Sequence, residues 1–258
     1  MDRIQKNISL APYTTFRIGG LARYFFVAET KEDLIRAVNL AQEKDLPFFI
    51  LGGGSNLLVS DEGYDGLAVK AQNEKCKAQN NIIKAEAGTK LGDLVKFSID
   101  NNLTGLEWAI GIPGTVGGAV RTNASCFGGE MKNLVKKTEK IGDIILSVEL
   151  ELKKGNSLES RKMIKEIIKK RKESQPIEYP SSGCIFKNPP GQFAGQLIDQ
   201  LGLKGKKIGG AMISDKHANF IINPGDAKAR DVLKLINLVK EKVKEKYQIE
   251  LVEEIQIL

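Results

Sequence analysis

Leu51-Gly52-Gly53-Gly54-Ser55-Asn56-Leu57-Leu58-Val59 sets three consecutive glycines and two small polar residues between apolar runs, and its reading decides that of the whole chain. Phe48-Phe49-Ile50-Leu51 reads as a buried strand entering the glycines, and Leu57-Leu58-Val59 as a short strand leaving them. No helix pattern opens on the loop. The dinucleotide fingerprint G-x-G-x-x-G needs such a helix, and the P-loop spacing G-x-x-x-x-G-K-[ST] is absent, so neither applies. Two readings stay open. One is a nest of backbone N–H groups, free of Cβ atoms, that wraps an anion with Ser55 and Asn56 as extra donors; the other is a tight turn between two strands.

Working outward, Tyr24-Phe25-Phe26-Val27 is an aromatic-rich strand. Thr30 caps a helix with Asp33 three residues on, and Leu34, Ala37, Val38 and Ala41 mark its apolar face. Strand, helix, strand and glycine loop make an α/β arrangement with the loop at the carboxyl end of a strand, where open sheets bind ligands. Ile82 to Gly88 reads as a further strand. Thr89 precedes a helix with Leu91, Leu94, Val95, Ser98 and Ile99 on one face. A second glycine-dense stretch follows, from Leu106 through Gly111-Ile112-Pro113-Gly114-Thr115-Val116-Gly117-Gly118-Ala119 to Glu130. Two such loops in one module can grip both ends of an extended ligand, and a diphosphate-bridged cofactor is one.

The totals bound the class. At 258 residues and 41% hydrophobic content the chain can build real cores for two or three small domains or one large one. The first residues show no continuous apolar segment, and no run of about 18 apolar residues occurs, so a cytoplasmic protein without a membrane partner is expected. Cys76, Cys126 and Cys184 are widely spaced with no C-x-x-C pair, which suggests neither a disulfide framework nor a metal site. Of the readings open to a net charge of +7, a solvated lysine-rich surface is favoured, because most lysines sit beside glutamates in helix-like stretches. A nucleic-acid partner is disfavoured, since no aromatic-interleaved basic patch accompanies that charge.

The later chain alternates as a half-buried strand over Ile144 to Leu152. It then forms a basic helix from Lys162 to Lys172 with Ile164, Ile167 and Ile168 on one face, and a last helix striped by Val232, Leu235, Ile236, Val239 and Val243.

Thr15-Phe16-Arg17-Ile18-Gly19-Gly20, the first glycine loop and the Gly111 to Ala119 stretch, in this order, resemble the UDP-N-acetylenolpyruvoylglucosamine reductase family of bacterial peptidoglycan precursor synthesis. Gly183-Cys184-Ile185-Phe186-Lys187-Asn188-Pro189 is similar to the family's G-S-x-F-K-N-P signature, with cysteine where serine is common. Ile213 to Asn223 and the ending Leu251-Val252-Glu253-Glu254-Ile255-Gln256 continue the likeness over nearly the whole chain. The resemblance implies an α+β protein. Its FAD-binding domain would be of the vanillyl-alcohol-oxidase/p-cresol-methylhydroxylase type, with α+β subdomains at 1–70 and, shortened, at 71–152, before a C-terminal α+β substrate-binding domain at 153–258. The implied reaction passes electrons from NADPH through FAD to the enolpyruvyl double bond of UDP-N-acetylglucosamine enolpyruvate, giving UDP-N-acetylmuramate, in a protein expected to be a monomer.

The same resemblance implies the site. Arg17, Gly19, Gly52, Gly53, Gly54, Ser55, Asn56 and Leu57, then Gly111, Pro113, Gly114, Thr115, Gly117, Gly118, Ala119, Asn123 and Ile144, are expected to contact FAD. Lys187, Asn188, His217 and Arg121 are expected on the substrate. Cys184 is the expected proton donor, because a thiol with an ordinary pKa of about 8.5 is a far better acid than an alcohol and stays largely protonated at neutral pH. Glu254 is expected to face the substrate carboxylate, with Glu253 as the competing assignment.

One departure matters. The resemblance implies some forty more residues between Gly129 and Ile144, with a Y-R-x-S segment whose arginine would help to stabilise the enolate, and this chain has no arginine there. Three replacements stay open: Lys136 or Lys137 supplies the charge, Arg121 turns inward, or Glu254, Cys184 and backbone donors act alone. The rival reading is a flavin- or UDP-sugar-binding protein that lost catalysis with that segment.

Overall fold

The computed structural model describes residues 3–258. They form two compact units: the first holds residues 3–6, Tyr24–Gly53 and Gly66–Arg171, and the second holds Asn7–Arg23, Gly54–Asp65 and Lys172–Leu258. Six α-helices, α1 (Lys31–Glu43), α2 (Leu91–Asp100), α3 (Val116–Thr122), α4 (Ser157–Ser174), α5 (Ala194–Gln200) and α6 (Ala229–Tyr247), are interleaved with strands in an α+β arrangement. None of the described helices is long and apolar enough to cross a membrane.

The first glycine loop follows the strand Phe48–Leu51, which pairs in parallel with Tyr64–Ala71 in a four-stranded sheet ordered Gln5–Ser9, Leu21–Ala28, Tyr64–Ala71, Phe48–Leu51. A parallel pair needs a crossover. Here, between Leu51 and Tyr64, it contains the glycines and the short strand Leu57–Leu58, as the sequence reading expects. α1 begins with Thr30 Oγ1 accepting the N–H of Asp33 at 3.0 Å, and it buries Leu34, Ala37, Val38 and Ala41.

A second, wholly antiparallel sheet is ordered Val135–Ile141, Ile144–Glu151, Ile82–Glu86, Cys76–Gln79. Its hairpin turns at Gly142-Asp143, with Gly142 at φ +53°, so the segment expected to be short is a tight β-hairpin. α2 buries Leu91, Leu94, Val95, Ser98 and Ile99, all five residues of its expected face.

α4 departs from expectation. Ile168 is 43% exposed, and the inward stripe is Ser160, Ile164, Ile167 and Arg171. Those spacings of 4, 3 and 4 track one face of a 3.6-residue helix, whereas Ile167 and Ile168, being adjacent, point about 100° apart. Because α4 packs Ile164 and Ile167 on the core that contains Leu150 and Trp108, the first unit runs on to Arg171, beyond the boundary expected at 152.

In the second unit, an antiparallel sheet ordered Ser181–Cys184, Phe220–Ile222, Ala211–Ile213, Lys207–Ile208 packs with α6. Val232, Leu235, Ile236, Val239 and Val243 of α6 are each no more than 1% exposed. At about 1.5–3 kcal/mol per fully buried aliphatic side chain, an upper estimate, this stripe is a main anchor of the unit.

Candidate functional site

In the first unit the two glycine stretches stack on each other. A Cβ added at Gly53 would lie 2.5 Å from Gly114 Cα, and one at Gly52 would lie 2.5 Å from Thr115 Oγ1. Only glycine permits this approach. The second stretch is tied down by Val116 N–H donating to Thr89 O at 2.8 Å and Gly117 N–H to Ala87 O at 2.9 Å, and α3 starts from it with Ala119 buried. Lys70 donates its ammonium to the carbonyl of Gly52 and makes no ion pair among the described residues; burial pulls its pKa below the ordinary lysine value.

The N–H groups of Gly53, Gly54 and Ser55 donate to no acceptor among the described residues. In the first unit the open N–H of Gly53, next to the half-buried Lys70 ammonium on the carbonyl of Gly52, suits the phosphate oxygens of a diphosphate-bridged cofactor. Pro113 and Gly118 are exposed on the second stretch. Asn123 closes α3 in the left-handed region, accepting Lys132 N–H at 2.9 Å and donating to Glu130 at 2.5 Å, a structural capping role. Ile144 packs on the core formed with α1, apart from this pair of loops.

In the second unit, Gly54 leaves room only for the carbonyl of Tyr13, and its own carbonyl accepts Thr15 N–H at 3.1 Å. Arg17 and Gly19 belong to this unit: Arg17 is exposed at φ +54°, and Gly19 backs onto Val59. Leu57-Leu58 pair in parallel with Gln256-Ile257, which draws the chain end under the loop.

That end meets the expected signature. Phe186 bridges Glu253, Glu254 N–H donates to Ile185 O at 2.8 Å, and Lys187 N–H donates to Val252 O at 2.9 Å. Cys184, Lys187 and Glu254 thus lie on one short antiparallel pair of segments although 70 positions separate Cys184 from Glu254 in sequence (254 − 184). Asn56 Nδ2 donates to Glu254 O at 3.1 Å, fixing the backbone there.

The two glutamates separate clearly. Glu253 holds Lys240 Nζ at 2.7 Å; burial pushes its carboxyl up, but this hydrogen bond and charge outweigh it and the pKa ends below the usual range. Glu254 makes no ion pair among the described residues. Its side chain opens to solvent, yet the protein crowding around it raises its pKa, with the Lys187 ammonium opposing. Cys184 is half-buried at the end of its strand, after Gly183 at φ +79°, and forms no disulfide. Ser182 Oγ nearby is buried without a protein partner among the described residues.

The remaining expected substrate residues divide. Lys187 and Asn188 are exposed, with Asn188 Oδ1 also accepting Ala194 N–H at 3.0 Å at the start of α5. His217 accepts Asn219 N–H on Nδ1 at 3.2 Å, which places its own proton on Nε2, and stacks edge-on to Phe220 at 4.8 Å. Burial, then the charge of Lys204, lowers its pKa and keeps it neutral at pH 7. Of the candidate stand-ins for the missing arginine, Arg121 is exposed, Lys136 pairs with Glu151 at 3.6 Å, and Lys137 lines a surface hollow with Lys31, Lys84, Glu139 and Glu149.

Sequence reasoning missed two buried charges. Glu107, 3% exposed, accepts from Thr104 Oγ1 at 2.6 Å, Gly105 N–H at 2.7 Å and Ser160 Oγ, which pins α4 to the turn before the second glycine stretch. Arg171, 9% exposed, reaches Cys126 Sγ at 3.3 Å. Both were legible only through the inward face of α4.

Residues 22–160 match the FAD binding domain family, and residues 175–258 match the C-terminal domain of UDP-N-acetylenolpyruvoylglucosamine reductase. The reductase of that name from Caldanaerobacter subterraneus subsp. tengcongensis is 39% identical over 99% of this chain and 94% of its own length, and that of Alkaliphilus oremlandii is 40% identical over 100% and 92%. The crystal structure of the Thermus caldophilus reductase superposes with a TM-score of 0.84 at 36% identity, covering 99% of this chain and 98% of that one. The chain therefore belongs to the UDP-N-acetylenolpyruvoylglucosamine reductase family and is a flavin-dependent oxidoreductase with FAD as its cofactor.

Proposed function

We propose that this enzyme reduces the enolpyruvyl ether of UDP-N-acetylglucosamine to the lactyl ether UDP-N-acetylmuramate, a peptidoglycan precursor, with NADPH as electron donor. The observation that carries the reading is the pairing of 185–187 with 252–254, which seats a thiol, an ammonium and a carboxyl of raised pKa on neighbouring backbone segments. Relatives bearing the reductase name over almost their whole length support it.

The residues divide the work by chemistry. Within the first unit, the backbone N–H of Gly53 and the Gly111 to Ala119 stretch stacked on it would hold the cofactor diphosphate. When bound, FAD supplies the hydride equivalent that NADPH provides. As the C–H bond forms at C3 of the enolpyruvyl group, its π bond breaks and negative charge moves towards the carboxylate. Glu254 donates a hydrogen bond to that carboxylate when it carries a proton, because two ionised carboxylates do not share a site, and burial shifts its pKa upward, in that direction. Lys187 adds a point charge of the right sign. Cys184 then gives its S–H proton to C2, and solvent restores the thiol. Lys187, Asn188 and the Nε2–H of His217 hold the UDP-sugar.

The test uses Cys184 variants in single turnover. Cys184→Ala is expected to bind FAD and accept electrons from NADPH normally yet to transfer them to the enolpyruvyl substrate at least about 100-fold more slowly, the usual scale of general-acid loss. Cys184→Ser is expected to recover part of the rate. Undiminished transfer in Cys184→Ala would remove the thiol from the mechanism.

A further inference from the structure

We infer that Arg171 is a cofactor-holding residue whose guanidinium donates to an oxygen acceptor of bound FAD. Arginine is almost never buried without a partner, since an uncompensated charge in the interior costs several kcal/mol. Arg171 is 9% exposed and forms no ion pair among the described residues. A guanidinium offers five N–H donors, and the acceptor it meets here is the Cys126 sulfur at 3.3 Å, a weak one. The contrast with Glu107 on the same helix interface is direct. That buried carboxylate is satisfied by Thr104, Gly105 and Ser160, so the interface compensates one charge fully and leaves the other open.

The open charge lies beside the cofactor loops. A Cβ built on Gly111, at φ +75°, would come within 3.2 Å of both Cδ and Nε of Arg171. Gly111 thus makes room for the arginine stem at the head of the stretch whose Gly114 and Thr115 stack on Gly53 and Gly52. Every residue in this argument belongs to the first unit. A planar fork of donors calls for oxygen atoms, and FAD presents two kinds: the diphosphate, and the carbonyl edge of its ring system. The inference rests on FAD being the cofactor.

The test compares flavin-stripped wild type with Arg171→Met, Arg171→Lys and Cys126→Ala, reading apoprotein melting temperature and the dissociation constants of FAD and riboflavin by fluorescence quenching. Loss of a charge-assisted hydrogen bond predicts FAD binding about 10- to 100-fold weaker in Arg171→Met. Because that variant also removes an unpaired buried charge, its apoprotein is expected to melt at or above the wild-type temperature. Arg171→Lys is expected to keep part of the affinity and Cys126→Ala nearly all. A loss confined to FAD places the guanidinium on the diphosphate, and an equal loss for riboflavin places it on the ring edge. Unchanged FAD affinity in Arg171→Met, or a Cys126→Ala variant that reproduces the whole loss, overturns the inference. Should Arg171→Met fail to fold, unchanged FAD affinity in Arg171→Lys overturns it equally. Wild type that binds no flavin would instead remove the cofactor assignment on which it stands.

Discussion

Gly53→Ala puts the contact between the two glycine stretches to a quantitative test. The new methyl would lie 2.5 Å from Gly114 Cα and 3.1 Å from Gly114 N, both backbone atoms that cannot swing away. Carbon atoms prefer about 3.5–4.0 Å, so the stretches must part by about 1 Å. Overpacking of this kind costs about 1–3 kcal/mol, and each kcal/mol lowers Tm by about 2–4 °C in a chain of this size. The same parting misplaces the N–H donor of Gly53, so FAD affinity is expected to fall together with Tm. Gly92→Ala is the matched control: at Gly92, in the first turn of α2, an added Cβ meets nothing within 4 Å. There the same exchange is expected to stabilise by about 0.4–1 kcal/mol through reduced unfolded-chain entropy. Differential scanning fluorimetry and flavin titration of both variants read the result. A Gly53→Ala protein with wild-type Tm and wild-type FAD affinity would refute the reasoning.

Two further predictions follow from charge. Glu107→Gln weakens the acceptor set that Thr104, Gly105 and Ser160 use, and Glu107→Ala, which strands those donors, is expected to cost about 2–5 kcal/mol by urea unfolding. Burial raises the Glu107 pKa, but the hydrogen bonds from Ser160 and Thr104 outweigh it and the folded value lies below the ordinary one. Its stabilisation is therefore present above about pH 4.3 and lost as pH falls through the lower folded value, a slope that Glu107→Gln should flatten. For Glu254, whose folded pKa is raised, the sign reverses: its contribution is present at low pH and fades as pH rises through that value. Glu254→Gln is thus expected to match or exceed wild-type Tm at pH 7, with the gap closing on acidification. A lower Tm at pH 7 would show that the carboxylate carries a structural bond.

Elements with strong periodicity were legible in the sequence. The faces of α1, α2 and α6 are the expected ones because each places its apolar residues 3 or 4 apart with little competition. α4 was misread at Ile168 because its true inward face ends in an arginine, a residue that periodicity counts as polar. The polar stretch Gln72 to Lys75 reads as a surface turn or a seam between subdomains, yet Asn73 is fully buried and donates to Leu146 O at 3.4 Å. No local pattern signals a polar side chain that folds inward to satisfy a distant carbonyl. The likeness of the chain's ending favours Glu254 over Glu253, and what sequence does not show is the Lys240 contact at 2.7 Å, supplied by α6, that engages Glu253. The motif residues Cys184 and Glu254 were found through family likeness, and what joins them, the 185–187 and 252–254 pairing, is long-range register that no single stretch encodes.

The central claim is most directly tested by anaerobic stopped-flow absorbance. The FAD-loaded protein is reduced with one equivalent of NADPH and mixed with the enolpyruvyl ether of UDP-N-acetylglucosamine. The account predicts rapid, stoichiometric return of the oxidised flavin absorbance with formation of the lactyl ether. Flavin that bleaches with NADPH but stays reduced in the presence of that substrate would contradict it.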